Sequence, residues 1–263
     1  MSEYVRTIDG RLQTAVHHYL HPDLPRRVTI IGTHHFGVPA YWTDIRARID
    51  RLVAGGAVVH CEGSMLVPDA SDVTEDERRL LTELRRCRVL EQQRVSQVFG
   101  WVHQRDGLGY PPHWQVIDLS HLEILRRLGP DMIGKFIGPL RRMVDWPDDD
   151  RCGPARYRFL IAVRVRITGN DRAITRRGPA DTVLVDDRQR LALDAVAGTG
   201  RDTVLVWGAS HLAGLGTALR SRGFVRCGDT EWHTVLDLPP IWPAFRQLLP
   251  GGSTRSRKGR GAE

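Results

Sequence analysis

Two stretches far apart in the sequence share a pattern that can carry a histidine to a reaction site. Each is a short apolar run followed by G-x-x-H and a large apolar residue: Val28–Phe36 carries His35, and Val204–Leu212 carries His211. The glycine permits a sharp turn at the end of a strand. The histidine then lies just beyond the carboxyl end of that strand, which is where open α/β sheets bind ligands.

Carboxylates follow two further apolar runs. Glu62 comes directly after Ala57–Cys61 (AVVHC), and Asp118 lies at the end of His113–Leu119 (HWQVIDL). Parallel strands present their carboxyl ends to one edge of a sheet, so the four runs deliver two histidines, a glutamate and an aspartate to the same place. Asp118 also suits the N-cap of the helix that follows, and both roles stay open for it.

This set of side chains supports two kinds of chemistry. Two imidazoles and a carboxylate can bind a divalent ion and leave positions open for water. Without a metal, one imidazole can act as a general base that Glu62 orients. The segment Gly208–Leu212 is also similar to a nucleophile elbow that lacks its second glycine, which makes Ser210 a secondary candidate.

The remaining pattern indicates the frame that positions these residues. Apolar runs alternate with amphipathic stretches, which predicts an α/β fold with a mostly parallel central sheet flanked by helices. We expect one domain over residues 1–250, with helical insertions, and a disordered basic tail over 251–263. Two finer expectations are a helical or irregular lead-in over 1–26, with His17, His18 and His21 on an exposed helix face, and a terminal hairpin formed by 224–226 and 231–236.

Composition excludes several classes of protein. The 263 residues are 41% hydrophobic and 26% charged, which is typical of a globular chain and not of a disordered or collagen-like one. Four cysteines without a C-x-x-C pair argue against a disulfide scaffold or a zinc ribbon and favour a reducing compartment. The N-terminus has no signal-peptide pattern and no apolar run could span a bilayer, so we expect a cytoplasmic protein with no membrane contact.

The net charge of +7 first suggests a nucleic-acid partner. Only two of the 38 basic residues are lysines, however, and part of the excess falls in the tail 251–263. The sequence contains no RNP, zinc-finger or helix-turn-helix signature. Nucleic acid is therefore disfavoured as a partner.

The paired G-x-x-H motifs with a glutamate after the second strand resemble the TraB/PrgY pheromone-shutdown family and its Tiki and GumN-like relatives. More distantly, they resemble the erythromycin-esterase and ChaN-like groups. The matching stretches are IIGTHHFG, VVHCEGS and DDRQRLALDAVAGTGRDTVLVWGASHLAGLGTALRSRGF. They cover Arg27–Leu119, with a helical insertion at about 65–112, and Asp186–Leu238. Residues 120–180 have no counterpart.

The resemblance implies a metal-dependent hydrolase in which bound water attacks a peptide or ester carbonyl. Mn²⁺ or Co²⁺ would be held by His35, Glu62 and His211, and Arg188 would be a conformational anchor, bind a substrate carboxylate or stabilise the oxyanion. Gln189 replaces the asparagine that is usual in the family. The alternative function is a non-catalytic haem-, metal- or peptide-binding regulatory protein on the same scaffold.

Overall fold

The structure is a computed structural model that describes residues 3–63, 72–144 and 153–238. The predicted tail 251–263 lies outside the described residues, as does part of the predicted insertion. The described strands are Val5–Ile8 (β1), Arg11–Leu20 (β2), Arg27–Thr33 (β3), Phe36–Gly37 (β4), Val58–Cys61 (β5), Val102–His103 (β6), Gln115–Val116 (β7), Thr203–Gly208 (β8) and Val225–Asp237 (β9).

Helices pack around these strands. The described α-helices are Pro39–Ala54 (α1), Glu75–Phe99 (α2), Gln104–Leu108 (α3), His121–Leu128 (α4), Pro130–Val144 (α5), Gly153–Thr168 (α6), Asp171–Ile174 (α7), Arg188–Thr199 (α8) and Leu212–Ser221 (α9). A π-helical segment, Thr182–Asp187, precedes α8, and a short 3₁₀ turn, Ala209–His211, precedes α9. No helix within the described ranges is both long and apolar enough to cross a membrane.

The centre of the main sheet is parallel, as predicted. The order β3-β8-β5-β7 runs through three parallel pairings, with Thr33 opposite Gly208 and Cys61 opposite both Val206 and Val116. The coarse expectation of an α/β fold with helices around a mostly parallel centre is thereby confirmed. Because the strands end in register, the residues that follow them meet at one edge.

An antiparallel extension continues the sheet on its other side, and it corrects the expectation for residues 1–26. That segment forms β1 and β2, and β2 pairs with β1, β3 and β9. Leu12 and Val16 lie in one hydrophobic core, while Ala15 and Tyr19 lie in another. Both faces of β2 are buried, so its sequence lacks the polar–apolar alternation that reveals a half-exposed strand.

The same correction changes the predicted placement of the histidines in this segment. His17 is 1% exposed and its Nε2 bonds the carbonyl oxygen of Glu3. His18 bonds Thr29 and Glu231 with its two ring nitrogens. His17 and His18 therefore belong to strand β2, and the prediction that they lie on an exposed helix face is wrong.

The predicted terminal hairpin was also wrong, because β9 is one long strand that pairs antiparallel with β2. Gly228, at φ +72°, lies where a chain reversal was expected. The pairing register shifts there, between Val16 and His18 of the partner strand. The local irregularity is thus a bulge that absorbs extra residues while the strand continues in the same direction.

A third core lies among the helices α2, α4 and α5. Cys87 of α2, Leu122 and Leu125 of α4, and Ile133 and Ile137 of α5 pack together there. Capping boxes fix where two of these helices begin: Thr74 caps α2 and Ser120 caps α4.

Candidate functional site

Glu62 lies at the centre of the carboxyl edge of the parallel strands. It directly follows β5, and its backbone N–H donates to the carbonyl oxygen of Val206 in β8 (3.0 Å). The residue is only 8% exposed. Oε1 accepts from Nη2 of Arg188 (2.6 Å) and Oε2 accepts from the backbone N–H of Gly208 (2.5 Å). Both carboxylate oxygens are therefore committed to hydrogen bonds.

The surroundings keep Glu62 ionised. Burial alone would raise its pKa, but the positive charge of Arg188, the nearby imidazoles of His211 and His35 and the Gly208 amide outweigh that cost and lower the pKa to about 2. At neutral pH the edge thus holds a fixed buried negative charge next to two histidines.

Arg188 opens α8, at the junction with the π-helical segment. Its guanidinium also bonds Asp118 with two contacts, Nε to Oδ1 (2.6 Å) and Nη2 to Oδ2 (2.7 Å), and Nη1 donates to the carbonyl oxygen of Leu184 (3.1 Å). Burial opposes the charge on Arg188, while Glu62 and Asp118 raise its pKa. Arg188 is therefore a permanent cation shared by two carboxylates.

The two roles left open for Asp118 can now be separated. Its Oδ2 accepts from the backbone N–H of Gly63 (2.9 Å) and its Oδ1 from that of Leu119 (2.8 Å), beside the bonds to Arg188. The cap of α4 is Ser120. Asp118 is thus part of the charged network at the strand ends and not the helix cap.

His211 lies on the buried side of Glu62. It is 2% exposed, and its Nε2 is 3.8 Å from Oε1 of Glu62. Its ring meets that of Trp207 edge to face, with centroids 5.1 Å apart. Nδ1 is buried and has no hydrogen-bond partner among the described residues. Burial lowers the pKa of His211 although the Glu62 charge raises it, so the ring is neutral at neutral pH.

His35 lies on the open side of the same edge. The residue is exposed, and its carbonyl oxygen accepts from the backbone N–H of Gln104 (2.8 Å). Desolvation by the surrounding protein lowers the pKa of its imidazole, and the charge of Glu62 acts in the opposite direction. His34 is turned to another partner, because its Nδ1 bonds the backbone of Phe36. His35 is the more exposed histidine of the pair.

A chain of hydrogen bonds that the sequence did not reveal ends at the backbone carbonyl oxygen of Glu62. Thr33 donates to Oε1 of Gln104 (3.0 Å), Nε2 of Gln104 donates to the hydroxyl of Tyr110 (2.8 Å), and that hydroxyl donates to the carbonyl oxygen of Glu62 (2.9 Å). Gln104 and Tyr110 come from α3 and the loop after it, inside the helical insertion. No motif marks them, so only the folded chain identifies their part in the site.

Gln189, which stands where the resemblance expects asparagine, reaches the second G-x-x-H segment. Its Nε2 donates to the carbonyl oxygen of His211 (3.2 Å), and its side-chain amide packs closely against Gly214. A Cβ placed on Gly214 would lie 2.1 Å from Oε1 of Gln189. The glycine therefore leaves room for the amide that holds the backbone of His211.

The residues as arranged do not offer a ready metal site. Within residues 3–63, 72–144 and 153–238, no group of three or more His, Cys, Asp or Glu side chains could hold an ion. Both oxygens of Glu62 already accept from Arg188 and Gly208. The Mn²⁺ or Co²⁺ implied by the family resemblance stays a prediction.

Comparison with known protein families, curated proteins and solved structures finds no match to this chain. The resemblance drawn from the sequence motifs also stays a prediction.

Proposed function

We propose that the protein is a hydrolase that cleaves an ester or peptide bond without a resident metal, with His35 as the general base. One observation carries the proposal: the ionised, doubly hydrogen-bonded Glu62 lies 3.8 Å from Nε2 of His211 and interacts electrostatically with His35, an exposed histidine whose pKa is lowered. A neutral, accessible histidine beside a fixed carboxylate is the arrangement that general-base catalysis needs.

The proposed reaction uses water as the nucleophile. Neutral His35 takes a proton from a water molecule as its oxygen forms a bond to the substrate carbonyl carbon. The bond from that carbon to the leaving oxygen or nitrogen then breaks, and His35 returns the proton to the leaving group. The Glu62 charge favours the transient imidazolium, because it raises the pKa of His35.

Arg188 acts in this scheme as a positioning residue. A guanidinium has five N–H donors, and Arg188 makes four hydrogen bonds, to Glu62, Asp118 (two) and Leu184. At most one donor is left for a substrate carboxylate or an oxyanion. Its main effect is to fix the orientation and the charge of Glu62.

The first experiment measures turnover of a panel of p-nitrophenyl esters and internally quenched peptides, before and after exhaustive chelation. We expect activity to persist in chelator and to fall by about 10²–10⁴ in His35→Ala, which is the usual range for losing a general base. His113→Ala is the matched control, because that histidine is exposed in a loop outside the site. It should keep full activity.

Three results would contradict this scheme. Loss of activity in chelator with recovery in Mn²⁺ or Co²⁺ would establish the metal-dependent mechanism instead. Equal losses of activity in His35→Ala and Ser210→Ala, together with an acyl adduct on Ser210 of the wild-type protein, would make the serine the nucleophile. Failure of the whole panel to turn over, with or without added metal, would end the hydrolase proposal.

A further inference from the structure

A cavity of about 140 Å³ opens beside His35. Ser210, an exposed residue of the 3₁₀ turn, also lines it. The remaining walls include Val5 and Leu12 from the antiparallel extension. The cavity is thus placed where a substrate held against His35 would extend its next group.

The region without a family counterpart supplies another wall. Val165 of α6 and Ile174 of α7 line the cavity. Asp171 ties this segment to β1, because its Oδ1 accepts from the backbone N–H groups of Tyr4 (3.0 Å) and Val5 (2.8 Å). The wall is therefore held in place by hydrogen bonds to the sheet.

The lining is neutral. None of the described residues that form it is Asp, Glu, Lys or Arg, and the histidines among them, His34 and His35, have lowered pKa values. Two of its hydroxyls are already engaged, Thr14 with Tyr41 (3.3 Å) and Thr33 with Gln104. A charged group would lose its hydration there without gaining a counter-charge, which is costly.

The volume fits one small apolar group. An engineered apolar cavity of about 150 Å³ is known to stay dry and to bind benzene. The cavity beside His35 is of similar size, and Val5, Leu12, Val165 and Ile174 supply the aliphatic part of its wall. Burying a leucine or phenylalanine side chain there removes its apolar surface from water, which favours substrates that carry such a group.

We infer that this cavity is a specificity pocket that takes a neutral aliphatic or aromatic group of the substrate, next to the carbonyl that is attacked. The inference rests on the proposed hydrolytic function for its place in a reaction, but the pocket itself can be tested by binding alone. The segment that includes α6 and α7 thereby sets substrate choice, while the strand ends supply the chemistry.

The test measures binding of N-acetyl-leucinamide, N-acetyl-phenylalaninamide, N-acetyl-aspartamide and N-acetyl-lysinamide by ligand-observed NMR. We expect the two neutral probes to bind at least tenfold more tightly than the two charged ones. Ile174→Trp should weaken the neutral probes by tenfold or more, because the indole fills the pocket. Ile167→Trp is the matched control on an exposed position of α6 outside the lining, and it should leave binding unchanged.

Thr168→Trp serves as a second filling variant, because Thr168 lines the cavity from an exposed position that tolerates a larger side chain. Equal binding of charged and neutral probes, or unchanged binding in both filling variants, would overturn the pocket. Selective binding in wild type and in His35→Ala, without turnover of any substrate, would support the pocket and contradict the hydrolase.

Discussion

Arg188 and Asp118 form a two-pronged ion pair, with Nε 2.6 Å from Oδ1 and Nη2 2.7 Å from Oδ2. The Asp118 side chain is 1% exposed and that of Arg188 is 11% exposed. Paired contacts of this kind fix direction as well as distance, because the planar fork of the guanidinium matches the carboxylate. The pair therefore fixes the orientation of the guanidinium whose Nη2 also donates to Oε1 of Glu62.

Removing that cation should destabilise the protein strongly. Arg188→Leu removes the guanidinium that forms ion pairs with the two buried carboxylates of Glu62 and Asp118, so we expect the free energy of unfolding to fall by about 3–5 kcal/mol. Chemical denaturation at pH 7 provides the measurement. Arg188→Lys is the comparison variant: an ammonium keeps the charge but cannot reproduce the fork, and it should recover only part of the loss. Equal stability of wild type and Arg188→Leu would contradict the role given to the network.

Neutralising Glu62 should make His35 harder to protonate. The Glu62 charge raises the pKa of His35, so Glu62→Gln is expected to move the titration midpoint of that imidazole to lower pH. Two-dimensional NMR of the histidine rings measures the midpoint directly. Glu231→Gln is the control, since that carboxylate pairs with His18 and Arg48. A midpoint that stays in place or rises in Glu62→Gln would refute the electrostatic coupling.

Buried His17 should make stability depend on pH. Its pKa is lowered from 6.5 to about 4, chiefly because burial disfavours the charged ring. The folded-state pKa lies below the unfolded value, so the unfolded chain binds more protons between these pH values. The contribution is fully present above pH 6.5 and is lost as the pH falls through 4, by roughly 3 kcal/mol in total.

The measurement for His17 is the free energy of unfolding of wild type and His17→Gln from pH 7 to pH 4.5. We expect a shallower decline with falling pH in the variant. Identical slopes for wild type and His17→Gln would show that folding does not lower the pKa of His17.

Two helical glycines should respond to alanine with opposite signs. A Cβ on Gly214 would meet the amide of Gln189 at 2.1 Å, so Gly214→Ala has to displace the group that bonds the carbonyl oxygen of His211. We expect lower stability and lower activity. Gly198, near the end of α8, has nothing within 4 Å of that position, and Gly198→Ala should stabilise by roughly 0.5–1 kcal/mol. Thermal melts distinguish the two, and a stabilising Gly214→Ala would be inconsistent with the contact.

The centre of the site could be predicted from the sequence because it depends on strand ends alone. The runs before Glu62 and Gly208 predict buried parallel strands, and parallel strands bring their carboxyl ends together whatever lies between them. Glu62 and His211 accordingly lie 3.8 Å apart although they are 149 positions apart in the chain. His35 lies on the exposed side of the same edge.

The parts that sequence reasoning missed depend on long-range partners. Arg11–Leu20 is buried on both faces, so its pattern does not show the period of a strand, and the spacing of its histidines imitated a helix. No local sequence pattern predicts the hydrogen bonds of Gln104 and Tyr110. These bonds form only when the segment that carries the two residues packs against the backbone of Glu62. The sequence names Arg188 and Asp118 as candidates but does not predict their ion pair, which forms where α8 meets the end of β7.

The pairing of β2 with β9 carries a consequence for how the chain folds. Arg11 lies opposite Asp237, and their side chains form an ion pair across a sequence separation of 226 residues. Contacts between residues so far apart in the sequence close a very long loop. The conformational entropy lost on closing it raises the free-energy barrier to folding. Refolding is accordingly expected to be slow, with hydrogen exchange of both strands becoming protected together and after the parallel centre.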